Sequence, residues 1–181
     1  MAETKPKKSE LAEQPNNKSL KLPQVFDSNY KDFIIVHIFD APRSLLFKMF
    51  ADPKHFKNWF GPYSCTIPTC EIDFKLGGKI SVVIKTDNGF SSPLDGIFYE
   101  IVENKKLVYS FGGYKGPNNE SKVEFLNTIT FDDHNGKTKL TLVSQVIKAE
   151  LKESEMAVKG MMEGWPQSLA KLETYLQNIN F

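Results

Sequence analysis

The sequence predicts an α+β domain in which a curved, seven-stranded antiparallel sheet grips a long C-terminal helix. Three observations carry this reading. Seven β-branched and aromatic runs are punctuated by Asp87-Asn88-Gly89, Glu103-Asn104-Lys105 and Asp132-Asp133-His134-Asn135-Gly136, turns that join consecutive antiparallel neighbours. Two short helical segments fall between the first and second runs. The chain then closes on one apolar stripe at steps of three and four, Val158, Met161, Met162, Trp165, Leu169, Leu172, Leu176 and Ile179, the mark of a helix with one buried face. Strands and helices do not alternate along the chain, so a doubly wound parallel sheet is excluded.

Residues 1 to 24 are Lys, Glu, Gln, Asn and Pro with scattered Leu, a composition that buries too little apolar surface to offset its ordering entropy. They read as a disordered tail; residues 1 to 30 are taken as flexible and 31 to 181 as the domain. Leu20, Leu22, Val25 and Phe26 could dock as a short clip, but a free linker is the reading adopted. Strand one is DFIIVHIF from Asp32, stopped by Asp40-Ala41-Pro42 because proline can begin a helix but not continue a ladder. Leu45, Leu46, Met49 and Phe50 recur at helical spacing, and Asp52-Pro53 restarts the chain as a second helix carrying Phe56, Trp59 and Phe60. Gly61-Pro62 ends it, so the segment KNWFGPY (57 to 63) sits where the helix pair hands over to the sheet.

Further strands are expected near 64 to 74, 78 to 86, 94 to 103, 106 to 112, 122 to 132 and 137 to 147. In the sixth strand Val123, Phe125, Ile129 and Phe131 share one face and Glu124, Thr128 and Thr130 the other, so the sheet has one covered and one wet face. The stretch from Gly112-Gly113 to Glu120 reads as an exposed connector able to act as a flap over one end of the domain. Cys65 and Cys70, five apart on a strand, are expected on opposite faces, unpaired and metal-free, unless Pro68 bulges the strand. Pro166 lies inside the last apolar stripe and predicts a break near Gly164, which would turn Trp165 toward the sheet and lift Met161-Met162 away.

Composition removes several function classes. The formal net charge is +1, and the 23 basic residues include a single arginine, Arg43, which leaves neither a global field nor planar forks for nucleic acid. No apolar run is long enough to span a membrane, and the N-terminus MAETKPKKSELAEQP has no secretory apolar block; a cytoplasmic protein is expected. His37, His55 and His134 share no metal-ligating spacing, and no Gly-x-Ser-x-Gly elbow occurs. No catalytic residue, metal ligand or cofactor is assigned.

A set of landmarks then appears in order: Phe39-Asp40-Ala41-Pro42, Asp52-Pro53, Trp59-Phe60-Gly61-Pro62, Asp73 with Gly77-Gly78, Gly96 before Tyr99-Glu100-Ile101, Leu107-Val108, Gly136-Lys137-Thr138 before Leu140-Thr141-Leu142, and Gly164-Trp165. From about Phe33 to Leu176 the chain resembles the activator of heat-shock-protein-90 ATPase homologue-like family, within the START-like or SRPBCC superfamily. His37 and Lys75 stand where that family often has arginine. The resemblance implies a helix-grip fold with an elongated apolar cavity between sheet and C-terminal helix. It also implies a choice of functions: binding of lipid-like or polyketide-like molecules, co-chaperone activity, or cyclase and aromatase chemistry.

The first hypothesis is a module enclosing a small, mostly apolar ligand. The residues assigned to its lining are Phe50, Trp59, Tyr99, Tyr109, Phe111, Phe125, Met161, Met162, Trp165 and Leu169, because large aromatics and adaptable methionines suit an apolar cavity. The alternative is a protein-interaction module stimulating a heat-shock-protein-90-type ATPase, with a chaperone as partner; an enzyme is the weakest reading.

Overall fold

The computed structural model describes residues 19–24, 30–150 and 154–179. Strand β1 (Phe33–Phe39) stops before Asp40, and Pro42 is the N-cap of helix α1 (Arg43–Ala51), which buries Leu46, Phe47, Met49 and Phe50. Asp52 ends α1 and caps α2 (Pro53–Trp59). Its carboxylate accepts the Lys54 N–H at 2.8 Å, and Pro53 opens the helix, where a missing donor removes no intrahelical bond. Then come β2 (Cys65–Ile72), β3 (Lys79–Thr86), β4 (Ser91–Val102), β5 (Lys106–Lys115), β6 (Ser121–His134), β7 (Lys137–Ala149) and helix α3 (Ser154–Asn178). The strands form one sheet in the order β1-β7-β6-β5-β4-β3-β2, every pair antiparallel. This is the α+β helix-grip architecture the sequence predicts.

The core is largely aromatic and lies between the inner face of the sheet and the three helices. Phe47 packs edge-on against Phe74 and Phe131, Phe50 against Trp59 and Phe131, and Phe74 against Phe98. Edge-to-face pairs of this kind set the positive rim of one ring against the negative face of the next.

Several local expectations are corrected. Cys65 and Cys70 lie on the same face of the sheet, the inner one. The register of β2 against β3 shifts between Thr66 and Thr69, so one extra residue beside Pro68 restores the parity that a straight strand would have broken. Both thiols are free, and burial pushes that of Cys70 up to about 11 against the opposing pull of Lys57. β4 begins at Ser91 in spite of Pro93, which pairs with Val83 of β3; the ladder to β5 starts later, at Asp95 opposite Gly112. Gly112 and Gly113 do not start a flap. They continue β5, opposite Glu124 and Val123, and a Cβ on Gly113 would come within 2.8 Å of Leu94 Cδ2, so these glycines leave room for neighbouring side chains such as that of Leu94.

Helix α3 is continuous through Pro166, without the expected break near Gly164. Proline inside a helix costs about 3 kcal/mol in isolation, and here the segment is held from outside, as described below. Met162 is 44% exposed while Gly164, Trp165 and Ser168 are buried, because α3 seats its Gly164–Ser168 edge on the corner after α2.

Of the predicted tail, residues 1–18 and the positions Val25 and Phe26 lie outside the described residues. The described part is tied to the domain, contrary to a free linker: Leu20 N–H donates to Tyr99 O at 2.8 Å, and its side chain reaches Gly77. Truncation of residues 1–18 should leave Tm unchanged, whereas removal through Gln24 should lower stability by about 1 kcal/mol, the net worth of one hydrogen bond. Thermal melts of the two truncations check this; equal melting temperatures would show that the Leu20 contact contributes nothing.

Candidate functional site

The corner Phe60-Gly61-Pro62-Tyr63 is where sheet and helix meet. Phe60 stacks on Phe56 at 4.7 Å and meets Trp165 at 5.7 Å and Phe111 at 5.4 Å. Gly61 has φ +88°, a left-handed conformation that glycine adopts without strain. Its N–H donates to Ser168 Oγ at 3.0 Å, and Ser168 in turn donates to Gly164 O at 2.8 Å. Tyr63 N–H donates to Gln167 Oε1 at 3.1 Å, while Lys171 Nζ lies 3.3 Å from Phe60 O and 3.2 Å from Gly61 O. Burial lowers the Lys171 pKa, opposed by neighbouring Cys65. These contacts hold α3 against the corner at Gln167, Ser168 and Lys171, just after Pro166, with the Trp165 ring packed on Phe60 just before it, and α3 runs on without a break.

Above that corner α3 stands off the sheet and leaves a cleft of about 290 Å³. Phe60, Gly61 and Pro62 close its inner end. Met156, Gly160, Met161, Gly164 and Trp165 form the helical wall, and Phe111, Val123, Phe125 and Asn127 form the floor on β5 and β6. Ile84, Phe90, Leu94 and Tyr114 complete the rim from the β3–β4 hairpin and the end of β5. No lining residue carries a formal charge, so the cleft can desolvate an apolar body but offers no ion pair.

Four of the ten residues assigned from sequence line this cleft: Phe111, Phe125, Met161 and Trp165. Phe50, Trp59, Tyr109 and Leu169 are buried in the core without reaching it. Trp59 is 0% exposed and its indole N–H donates to Met49 O at 3.1 Å, so it acts as a packed plug joining α1 to α2. Met162 faces away. Tyr99 is the extra residue of a bulge, since Phe98 pairs with Tyr109 and Glu100 with Val108; it packs on the outer face with Val108, Leu126 and Ile147. Sequence reasoning missed Asn127, although it stands between Phe125 and Ile129 in the buried series of β6, and it missed Gly160, one helical turn before Gly164.

Among the described residues, no group of three His, Cys, Asp or Glu is placed to hold a metal, and no helix is long and apolar enough to cross a membrane.

The sequence profile of the family described as Activator of Hsp90 ATPase homolog 1-like protein matches residues 40–177. No curated protein matches the chain. Solved structures share the fold. A protein from Arthrobacter aurescens is 21% identical with a TM-score of 0.71, over 86% of this chain and 94% of that one. A protein from Nitrosomonas europaea is 22% identical with a TM-score of 0.68, over 81% and 94%. The AHSA1 protein from Silicibacter pomeroyi is 21% identical with a TM-score of 0.66, over 81% and 98%.

Proposed function

The chain belongs to the family described as Activator of Hsp90 ATPase homolog 1-like protein, and from that premise we propose that it is a binding module which encloses a small, mostly apolar molecule between α3 and the sheet. The observation that carries this reading is the cleft of about 290 Å³ with an uncharged, chiefly aromatic and aliphatic wall, just below the roughly 300–1,000 Å³ range of ligand pockets. Free Cys65 and Cys70 suit a reducing compartment, in keeping with a cytoplasmic protein.

Trp165 is in the wall and Trp59 is not, so lipid-like and polycyclic aromatic probes should change tryptophan emission saturably. Trp165→Phe should remove most of that change. Gly160→Leu adds a side chain to the helical wall at a position where a Cβ meets nothing within 4 Å. It should abolish the response while keeping or raising Tm, since glycine in a helix interior costs about 1 kcal/mol relative to a good helix former. A panel that shifts neither emission nor Tm would overturn the reading.

A second reading is a co-chaperone-like module, which the family description suggests. Ile34, Val36 and Ile38 favour it: they are 59%, 55% and 46% exposed, in a row on edge strand β1, the kind of unpaired apolar edge that recruits a protein surface. Stimulation of a heat-shock-protein-90-type ATPase that is lost in Val36→Lys would support it; no stimulation by the intact chain would refute it.

A further inference from the structure

Three polar side chains stand side by side on the inner face of the sheet, where their neighbours are aromatic or aliphatic. Register places Tyr109 of β5 opposite Asn127 of β6, and Asn127 opposite Ser144 of β7. Each is at most 1% exposed. Ser144 Oγ donates to Asn127 Oδ1 at 2.8 Å, the one hydrogen bond of that side chain among the described residues. With its oxygen engaged, the carboxamide keeps two N–H donors, and it belongs to the cleft wall. The Tyr109 hydroxyl, next in the row but outside the wall, is buried without a partner. A polar amide facing an apolar space costs free energy unless it is paired, so a leucine would serve better at position 127 if the cleft took only hydrocarbon.

We propose, resting on the ligand-binding reading above, that Asn127 is the specificity residue of the cleft. Fixed by Ser144, it donates to a neutral oxygen acceptor, a carbonyl or hydroxyl, on an otherwise apolar ligand. A carboxylate fits poorly, because the wall supplies no cation and an unpaired ion loses its hydration on entry. The ligand class is therefore a compact neutral ketone, ester or alcohol.

Calorimetric titration of the intact chain with naphthalene, 2-acetylnaphthalene and 2-naphthoate tests this. The ketone should bind on the order of tenfold tighter than the hydrocarbon, the increment of one good hydrogen bond in a dry site, and the carboxylate should bind most weakly. Asn127→Leu should hold the hydrocarbon as well as before and erase the ketone's advantage. Ser144→Ala, which leaves Asn127 in place but unanchored, should reduce that advantage; it serves as the second variant if Asn127→Leu does not fold. A purely structural role would lower Tm without altering the ketone-to-hydrocarbon ratio, and that result overturns the inference. Hydrocarbon binding without any ketone preference in the intact chain sinks the inference alone. Failure of all three probes to bind the intact chain, with no effect of Gly160→Leu, sinks the cleft reading and this inference together.

Discussion

Replacing Trp59 by alanine should cost about 3–5 kcal/mol of stability, the usual range for emptying an aromatic site in a core. The ring is fully buried, meets Phe50 at 4.7 Å and Phe56 at 4.9 Å, and anchors its N–H on Met49 O. Its loss leaves a void between α1 and α2 and frees a buried carbonyl. Because domains are stable by only about 5–15 kcal/mol, the loss is a large share of the total. Urea denaturation measures the effect, and Trp59→Phe should recover much of it while still losing the hydrogen bond. A loss below about 1 kcal/mol would mean that the corner can collapse around the gap, and that Trp59 is not the plug its contacts describe.

Gly96→Ala should be comparably severe, for a different reason. A Cβ at position 96 would lie 1.8 Å from Ser110 O and 2.6 Å from its carbonyl carbon. The obstacle is the backbone of the neighbouring strand, so no side-chain rotation relieves it. β4 must instead separate from β5 beside the Ile97 N–H to Ser110 Oγ bond. Overpacking of this kind costs about 1–3 kcal/mol and occasionally more, and a backbone obstacle belongs at the upper end, so about 3 kcal/mol is expected. The same substitution at Gly160, where nothing stands in the way, should be neutral or stabilising. Paired denaturation curves of the two variants separate the steric effect from glycine's chain entropy; equal curves would refute the close approach of β4 and β5.

The candidate site was only partly legible in the sequence. Phe111, Phe125, Met161 and Trp165 could be chosen because an aromatic or methionine at an inward position of a central strand or final helix tends to meet whatever lies between them. Trp59 and Phe50, on the two short helices, are equally large and apolar but face one another, and size and hydrophobicity do not distinguish a ring that fills a core from one that borders a cleft. Tyr99, chosen for its ring and not for its parity, lies on the outer face as the extra residue between Phe98 and Glu100. Counting in twos along a strand failed for Cys65 and Cys70, because the bulge beside Pro68 adds a residue.

The sequence by itself determined the order of elements, the antiparallel pairing, the placement of both short helices and the family. Each follows from signals that act within a few residues: Asp52-Pro53 as cap and first turn, Asn135-Gly136 as a hairpin, and alternation along β6. Only the tertiary structure decided which aromatics border open space, that α3 runs unbroken through Pro166, and that Asn127 lies in the cleft wall. Those outcomes depend on contacts between segments far apart in the chain, such as Gly61 with Ser168 and Asn127 with Ser144. Proline's local preference to end a helix is overridden beside a corner that holds Gln167, Ser168 and Lys171, and no local pattern in the sequence records that hold.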